Sequence, residues 1–436
     1  SDALGSLGIS WEEVTSRVPA DKISVYAGSA LGQLDGAGIG GMLKARYNGQ
    51  RVTSKYCRLG LAEMPADFIN ANVLGSMGST GASLGACASF LYNLRHGIDD
   101  IRSGRARVAM IGSAEAPINP EVMEGYAAMG ALATDKGLRQ LDGLPDDMAP
   151  DHRRACRPFA DNCGFTIAES AQMLVLFDDA LAMELGATMF GAATDVFVNA
   201  DGFKKSISGP GVGNYITMAK ATASARAMLG EDRLRSGGLV QAHGTGTPQN
   251  RTTESEILSR TAQAFGIDNW PVAALKCYLG HSLGAASGDQ VNATLGIWAH
   301  GVIPGIATID DLADDVHRDN LAFSNSHREI DPAEQYYALI NSKGFGGNNA
   351  SATLLSPNAV NHMLQARYSK SEWQAWQAAN ESVAEKQRTR DDAVIAGKEE
   401  PVYHFDHGVL LDGDVELGPN RLVLGGRAVD LELTSP

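Results

Sequence analysis

The chain has 436 residues, 44% hydrophobic and 20% charged, with 49 Gly and 16 Pro. That is enough to bury one large core or two ordinary ones, which excludes a disulfide-stapled miniprotein or a disordered tail. Aromatics at 6% with abundant Gly suit a layered α/β enzyme, and a net charge of −15 argues against nucleic acid or an anionic membrane as partner.

Taken in chain order, the opening Ser1-Asp2-Ala3-Leu4-Gly5 has neither an initiator Met nor the basic-then-apolar order of a signal peptide. It reads as an internal start of a longer chain. Short β-branched or apolar runs then alternate with helical patterns bounded by Gly, the βαβ signature of a buried, largely parallel sheet. Residues 23–27, 107–112, 172–177, 238–242, 272–275 and 338–340 read as strands. Residues 121–129 and 214–229 read as helices, and 254–265 as another with Glu254 at its start, where the helix dipole favours a carboxylate. Polar residues 135–154 break this rhythm and read as a surface insertion. After Pro357 the composition changes: Ser369-x-x-Glu372 is a capping box opening a helix to about residue 392, with Trp373 and Trp376 on one face. Runs at 409–411, 421–424 and 429–433, separated by Asp412-Gly413 and Gly425-Gly426, read as small strands. No apolar stretch approaches the roughly 20 residues of a membrane span.

Five cysteines, Cys57, Cys87, Cys156, Cys163 and Cys277, form an odd set without CxxC spacing. This argues against a zinc site or a disulfide framework and for a reducing, cytoplasmic compartment. Cys87 lies between small residues, Gly85-Ala86-Cys87-Ala88-Ser89, at what reads as a helix start. A helix N-terminus favours thiolate over thiol; the other option is a buried, inert cysteine. His243 follows an apolar strand in the loop His243-Gly244-Thr245-Gly246-Thr247, and His281 sits in Lys276-Cys277-Tyr278-Leu279-Gly280-His281. Ligand sites of α/β sheets lie at such strand ends, although a histidine bonding a turn carbonyl is the structural alternative. The tetrapeptide Ser-Leu-Gly-Ala occurs at 83–86 and 282–285, which by itself is chance.

One Cys and two His on Gly-rich turns suit carbon–carbon bond formation through a thioester, with a nucleophile and two groups to manage a carboxylate and an enolate. With the Cys87 block go Gly112-Ser113-Ala114-Glu115-Ala116, Arg157-Pro158-Phe159 with Gly164-Phe165, and both histidine loops. Asn341-Ser342-Lys343-Gly344-Phe345-Gly346-Gly347-Asn348-Asn349-Ala350 follows. In this order they resemble the β-ketoacyl synthases, condensing enzymes of the thiolase fold, in the elongating Cys-His-His class, from about residue 23 to 356.

The resemblance implies a five-layered αβαβα fold in two pseudo-symmetric halves, 1–185 with Cys87 and 186–356 with His243 and His281, followed by an appendage, 357–436. It implies that Cys87 takes the primer acyl group, that His243 and His281 assist malonyl decarboxylation and stabilise the enolate, and that the N–H groups of Cys87 and Phe345 form an oxyanion hole. Phe345 also matches the gating aromatic. Lys276 and Glu254 match a supporting pair, and Thr245 and Thr247 positions that bond the phosphopantetheine arm. The expected function is decarboxylative condensation of an acyl primer with malonyl-acyl carrier protein in fatty acid synthesis. Expected with it are a homodimer and no cofactor or metal beyond the phosphopantetheine or coenzyme A carrying the substrates. Arg51, Lys55, Arg58, Lys204 and Lys205 are the expected docking cations for the acidic carrier protein.

The departures are Lys343 and Asn348 where Phe and Thr are usual, Arg251 where an Asp is common, and altered neighbours of Cys87. The insertion and tail look more like a bacterial subgroup that starts fatty acid synthesis from acetyl-CoA. A polyketide-type ketosynthase and a non-catalytic chain-length-factor-like partner are the alternatives. Cys87 with both histidines argues against the latter, and a thiolase would need a second catalytic cysteine. Family members also begin with a strand ahead of the one at 23–27. Its absence predicts an unpaired edge and exposed apolar faces, with the segment supplied by a second polypeptide.

Overall fold

The computed structural model describes all residues except Ser208, 399–400 and 433–436. Strands run in chain order as β1 (Ile23–Gly28), β2 (Thr80–Gly81), β3 (Val108–Glu115), β4 (Ser170–Phe177), β5 (Ala192–Ala200), β6 (Gly238–Gln241), β7 (Trp270–Ala273) and β8 (Val302–Ile303). They continue as β9 (Leu321–Ala322), β10 (Arg328–Glu329), β11 (Tyr337–Gly344), β12 (Asn348–Leu355), β13 (Val415–Leu417), β14 (Arg421–Leu424) and β15 (Arg427–Asp430).

Two sheets repeat one topology. The first has the order β2-β1-β3-β4, parallel except for antiparallel β4. The second has the order β5-β12-β11-β6-β7-β9, in which β7, β6 and β11 are parallel and β12 returns antiparallel, like β4. Helices Ser89–Arg102 and Ala286–His300 lie between the sheets and touch both, and further helices such as Met64–Ile69 and Gly213–Leu229 cover the outer faces. This is the thiolase-like five-layered arrangement. β3 is buried along almost its whole length, as a strand covered on both faces must be. The central helices approach closely because Gly288 has no side chain: a Cβ there would stand 2.8 Å from the ring of Phe90.

The duplication reaches the turns that enter the central helices. Ala86 (φ 50°) and Leu283 (φ 51°) are both left-handed residues three positions before a helix, one starting at Ser89 and the other, through a short 3-10 turn, at Ala286. Cys87 therefore corresponds to Gly284. The two Ser-Leu-Gly-Ala copies are offset by two positions against this frame, so the tetrapeptide does not mark the duplication.

The apolar faces around β1 are not left bare. Helices Asp2–Gly5 and Trp11–Arg17 precede it, and Ile9, Val14 and Val18 are buried in one cluster with Ile23, Val108, Leu181 and Val383. β4 ends its sheet with most side chains only half-buried, beside a groove of about 590 Å³ lined by residues such as Leu174, Leu176, Met189 and Trp298.

Several local expectations shift. Helix Pro248–Phe265 begins six residues earlier than the sequence suggests, because Pro248 occupies its first turn after Thr247. The insertion contains a helix, Asp135–Asp142, whose last residue receives both terminal nitrogens of Arg157 at 2.7 Å. In the tail, Ser369 and Glu372 form the expected capping box of helix Lys370–Ile395, and Trp376 is buried with its indole N–H donating to Ala187 O at 3.0 Å. The strand read at 409–411 is absent, β13 forms at Val415–Leu417 instead, and Leu433 of the last run lies outside the described residues.

Candidate active site

The carboxyl ends of β6, β7 and β11 meet the turn before helix Ser89–Arg102, which brings Cys87, His243 and His281 into one buried centre. Cys87 is reached through Ala86, a non-glycine held in the left-handed region at a cost of about 1–3 kcal/mol. Ser89 holds this turn: its Oγ accepts from Gly85 N at 3.1 Å and donates to Ala86 O at 2.6 Å. From the other half, Ser342 Oγ donates to Cys87 O at 3.1 Å. β11 approaches so closely that a Cβ on Gly344 would stand 1.9 Å from Gly85 O, so only glycine fits there.

Cys87 packs with Phe165 and Leu283, and with the half-buried Leu31, Tyr126 and Ile167, in a small apolar cluster. Burial pushes its thiol above the usual range. Lys276 and the backbone N–H groups of Phe345 and of Cys87 itself oppose that, and Glu115 adds to it. The help expected from a helix N-terminus is therefore outweighed: Cys87 lies ahead of the first helical residue, Ser89, and desolvation favours the thiol. The two N–H groups that favour its anionic form are those expected for the oxyanion hole.

The ring of Phe165 stands edge-on to His281, with centroids 5.2 Å apart, and His281 stands edge-on to His243 at 5.3 Å. His281 Nδ1 accepts from Leu283 N at 3.2 Å, so in the neutral ring the proton resides on Nε2. The His243 ring has no protein hydrogen-bond partner among the described residues, and its Nδ1 is fully enclosed. Burial pushes both histidines well below the usual range, and Lys276 reinforces this. Both rings are neutral at pH 7.

His243 is instead clamped through its backbone. Its N–H and that of Gly244 donate to the two oxygens of Glu254 at 2.6 and 2.8 Å, and its carbonyl accepts from Lys276 Nζ at 2.5 Å. Glu254, fully buried, also accepts from Asn341 at 2.6 Å and Asn250 at 2.8 Å. Its place is the second turn of its helix rather than the start, so it works by these hydrogen bonds and not through the helix dipole. Thr245 and Thr247 lie in the same loop with hydroxyls 3.0 Å apart. Phe345 is half exposed at the end of β11.

Sequence reasoning missed the residues that join these loops. Gln290 donates to Ala242 O at 2.7 Å and, at 3.2 and 3.3 Å, to Gln241 O and Asn341 O, tying β6 to β11. Glu115 accepts from Ala30 N at 2.5 Å and Ser29 Oγ at 2.9 Å. It stands in a motif quoted above, but nothing local discloses its partners. Of the expected docking cations, Arg51, Lys55, Arg58 and Lys205 are exposed. Lys204 is corrected: its ammonium is mostly enclosed, 3.2 Å from Asp201 and 3.3 Å from Gly209 O, and is not free to meet a partner. Among the described residues no His, Cys, Asp and Glu group suits a metal ion, and no helix is long and apolar enough to cross a membrane.

A Cys-His-His centre at the strand ends of a duplicated thiolase-like fold is that of a condensing enzyme. The chain belongs to the β-ketoacyl synthases: residues 2–182 match the N-terminal domain of that family and 191–310 the C-terminal domain. It is 51% identical to beta-ketoacyl-[acyl-carrier-protein] synthase FabY of Pseudomonas aeruginosa over 427 residues, covering 98% of this chain and 67% of that protein. The crystal structure of the noncanonical ketosynthase FabY from P. aeruginosa superposes with a TM-score of 0.97 at 49% identity, over 100% of this chain and 68% of that one. The chain thus spans about two thirds of the length of this relative. More distantly, 3-oxoacyl-[acyl-carrier-protein] synthase 2 of Staphylococcus aureus is 27% identical over 76% of this chain and 74% of its own. A type II polyketide ketosynthase solved with its acyl-carrier protein (AntDE:AntF) shares the fold, with a TM-score of 0.66 at 21% identity over 78% of this chain and 80% of that one.

Proposed function

We propose that this chain forms carbon–carbon bonds by decarboxylative condensation of an acyl thioester with malonyl-acyl carrier protein in fatty acid synthesis, with Cys87, His243 and His281 as its catalytic residues. The observation that carries the proposal is the convergence at Cys87. Two backbone N–H groups, its own and that of Phe345, favour its anionic form, and Phe165, packed on Cys87, stands against His281 and through it His243, two neutral histidines of which His281 has its proton on Nε2.

Cys87 attacks the primer thioester, its proton leaving with the displaced thiol. The Cys87 and Phe345 N–H groups hold the oxyanion, a contribution worth about 3–4 kcal/mol per donor in comparable sites. The malonyl thioester then enters past Phe345, its pantetheine arm along Thr245 and Thr247. Loss of carbon dioxide leaves an enolate whose oxygen accepts from the histidine N–H groups, and the enolate carbon attacks the Cys87 acyl group. Lys276 and Glu254 act by fixing the His243 backbone. The reaction needs no metal or cofactor beyond the carrier of each substrate.

With this go the finer expectations: a homodimer, a cytoplasmic location, an acetyl primer, the division at residues 185 and 356, and carrier docking at Arg51, Lys55, Arg58 and Lys205. The acidic net charge supports a local docking patch, since an acidic carrier must overcome repulsion from the whole molecule. The test is intact-mass analysis after incubation with acetyl-CoA. A single acetyl adduct on Cys87 that is discharged as β-ketoacyl product on adding malonyl-acyl carrier protein is expected. Absence of both adduct and product with acetyl and longer acyl donors would overturn the proposal.

A further inference from the structure

Asp289 is a buried carboxylate that the condensation chemistry does not use. It stands in the first turn of helix Ala286–His300, where a carboxylate ordinarily serves the free N–H groups of the helix. Here its hydrogen bonds go to side chains instead. Oδ1 accepts from Ser170 Oγ at 2.6 Å and from Gln172 Nε2 at 2.9 Å, both on β4, and Oδ2 accepts from Ser282 Oγ at 2.5 Å. The carboxylate therefore ties a strand of the Cys87 half to the loop that carries His281.

Ser282 lies between His281 and Leu283, and the Leu283 N–H is the donor that meets His281 Nδ1 at 3.2 Å. Leu283 makes that bond from the left-handed region, at φ 51°, a conformation that a residue with a β-carbon leaves unless its neighbours hold it. All three residues are buried. The His281 backbone is gripped by the lead-in to β4: its N–H donates to Thr166 O at 2.7 Å and its carbonyl accepts from Ala168 N at 3.0 Å. Residues 166–172 thus hold His281 twice, once by its backbone and once, by way of Asp289 and Ser282, through the turn that bonds its ring.

We propose, on the functional reading above, that Asp289 is a positioning residue for His281: by anchoring the Ser282 hydroxyl to β4 it keeps the Leu283 N–H on Nδ1, so the ring proton stays on Nε2 and the ring keeps one orientation. A neutral imidazole that loses this donor is free to move its proton to Nδ1 and to turn. The enolate oxygen then meets a ring nitrogen without a hydrogen, or one out of place. Because β4 belongs to the half that carries Cys87, the same tie sets His281 against the nucleophile, with Phe165 packed on both. The carboxylate reaches the ring only through Ser282 and Leu283, so removing the Ser282 hydroxyl alone breaks the chain of contacts and leaves the charge in place.

The experiment follows the ring nitrogens of His281 by NMR near neutral pH in the full chain with isotope-labelled histidine, assigned by comparison with His281→Gln, in native, Ser282→Ala, Asp289→Ala and doubly substituted proteins. The native ring should show Nε2 with a proton and Nδ1 without one. In Ser282→Ala and in Asp289→Ala the Nδ1 resonance should move toward its protonated value and the Nε2 resonance away from it. In parallel, carbon dioxide release from malonyl-acyl carrier protein should fall about ten-fold, within what misplacement of a reacting group costs, while acetylation of Cys87 changes little. The double variant should lose no more than Asp289→Ala alone, since both act through one bond. Ser282→Ala, which removes a single oxygen, decides the matter if Asp289→Ala does not fold. A native Nδ1 that carries the proton, native ring resonances in Ser282→Ala, or losses that add in the double variant would overturn the proposal, whatever happens to the melting temperature. The ring resonances need no turnover, so failure of the functional reading, seen as no carbon dioxide release by the native chain, is distinguishable from failure here.

Discussion

The backbone N–H of His243 donates to Glu254 Oε1 at 2.6 Å, so the orientation of a buried histidine is set by a carboxylate that never touches its ring. Glu254→Gln keeps the shape but turns one acceptor into an N–H donor facing other donors. A buried unsatisfied group costs about 1–3 kcal/mol. Expected are a lower melting temperature and a fall in decarboxylation of ten-fold or more, measured as carbon dioxide release well below the melting point, where the variant is still folded.

Stability should fall on the acid side. Both His243 and His281 are held well below their ordinary value of 6.5 by burial first and Lys276 second. Below that value the unfolded chain binds protons that the folded one does not, so stability is lost as pH falls. Each histidine contributes up to about 1.4 kcal/mol per pH unit over the window between its unfolded and folded values. Denaturant unfolding at pH 7.5, 6.5 and 5.5 checks this. His281→Gln should flatten the slope.

Cys87 rests as a thiol, because burial raises it above its ordinary value of 9.0. Alkylation of Cys87 by iodoacetamide should still accelerate between pH 8 and 9.5, and Lys276→Met, which removes the main opposing charge, should slow it at every pH. A plateau reached by pH 7 would show a resting thiolate.

Trp376 anchors the tail helix through apolar burial and its bond to Ala187 O. Trp376→Ala should cost about 3–5 kcal/mol, read as a drop in melting temperature, while Cys87 acylation at 20 °C is retained.

The legibility of this protein from sequence follows a physical division. Cys87, His243 and His281 were readable because each lies on a Gly-rich turn after an apolar run, a local pattern. β5 and β12 were not, since small and polar residues such as Asn348-Asn349-Ala350-Ser351 carry little strand signal and become strands by pairing with each other and β11. The thiol state of Cys87 and the enclosure of Lys204 depend on tertiary burial, which no local pattern encodes. Glu254 was misplaced to a helix start although Thr247-Pro248 carried the start signal. Gln290 and Glu115 act across contacts 48 and 85 residues away in sequence.

The most direct test of the central claim separates the half-reactions. Cys87→Ala should abolish acyl-enzyme formation and condensation yet still release carbon dioxide from malonyl-acyl carrier protein, whereas His243→Ala and His281→Ala should lose that release while Cys87 can still be acylated. A Cys87→Ala protein that makes β-ketoacyl product, or histidine variants that decarboxylate at the native rate, would contradict the assignment.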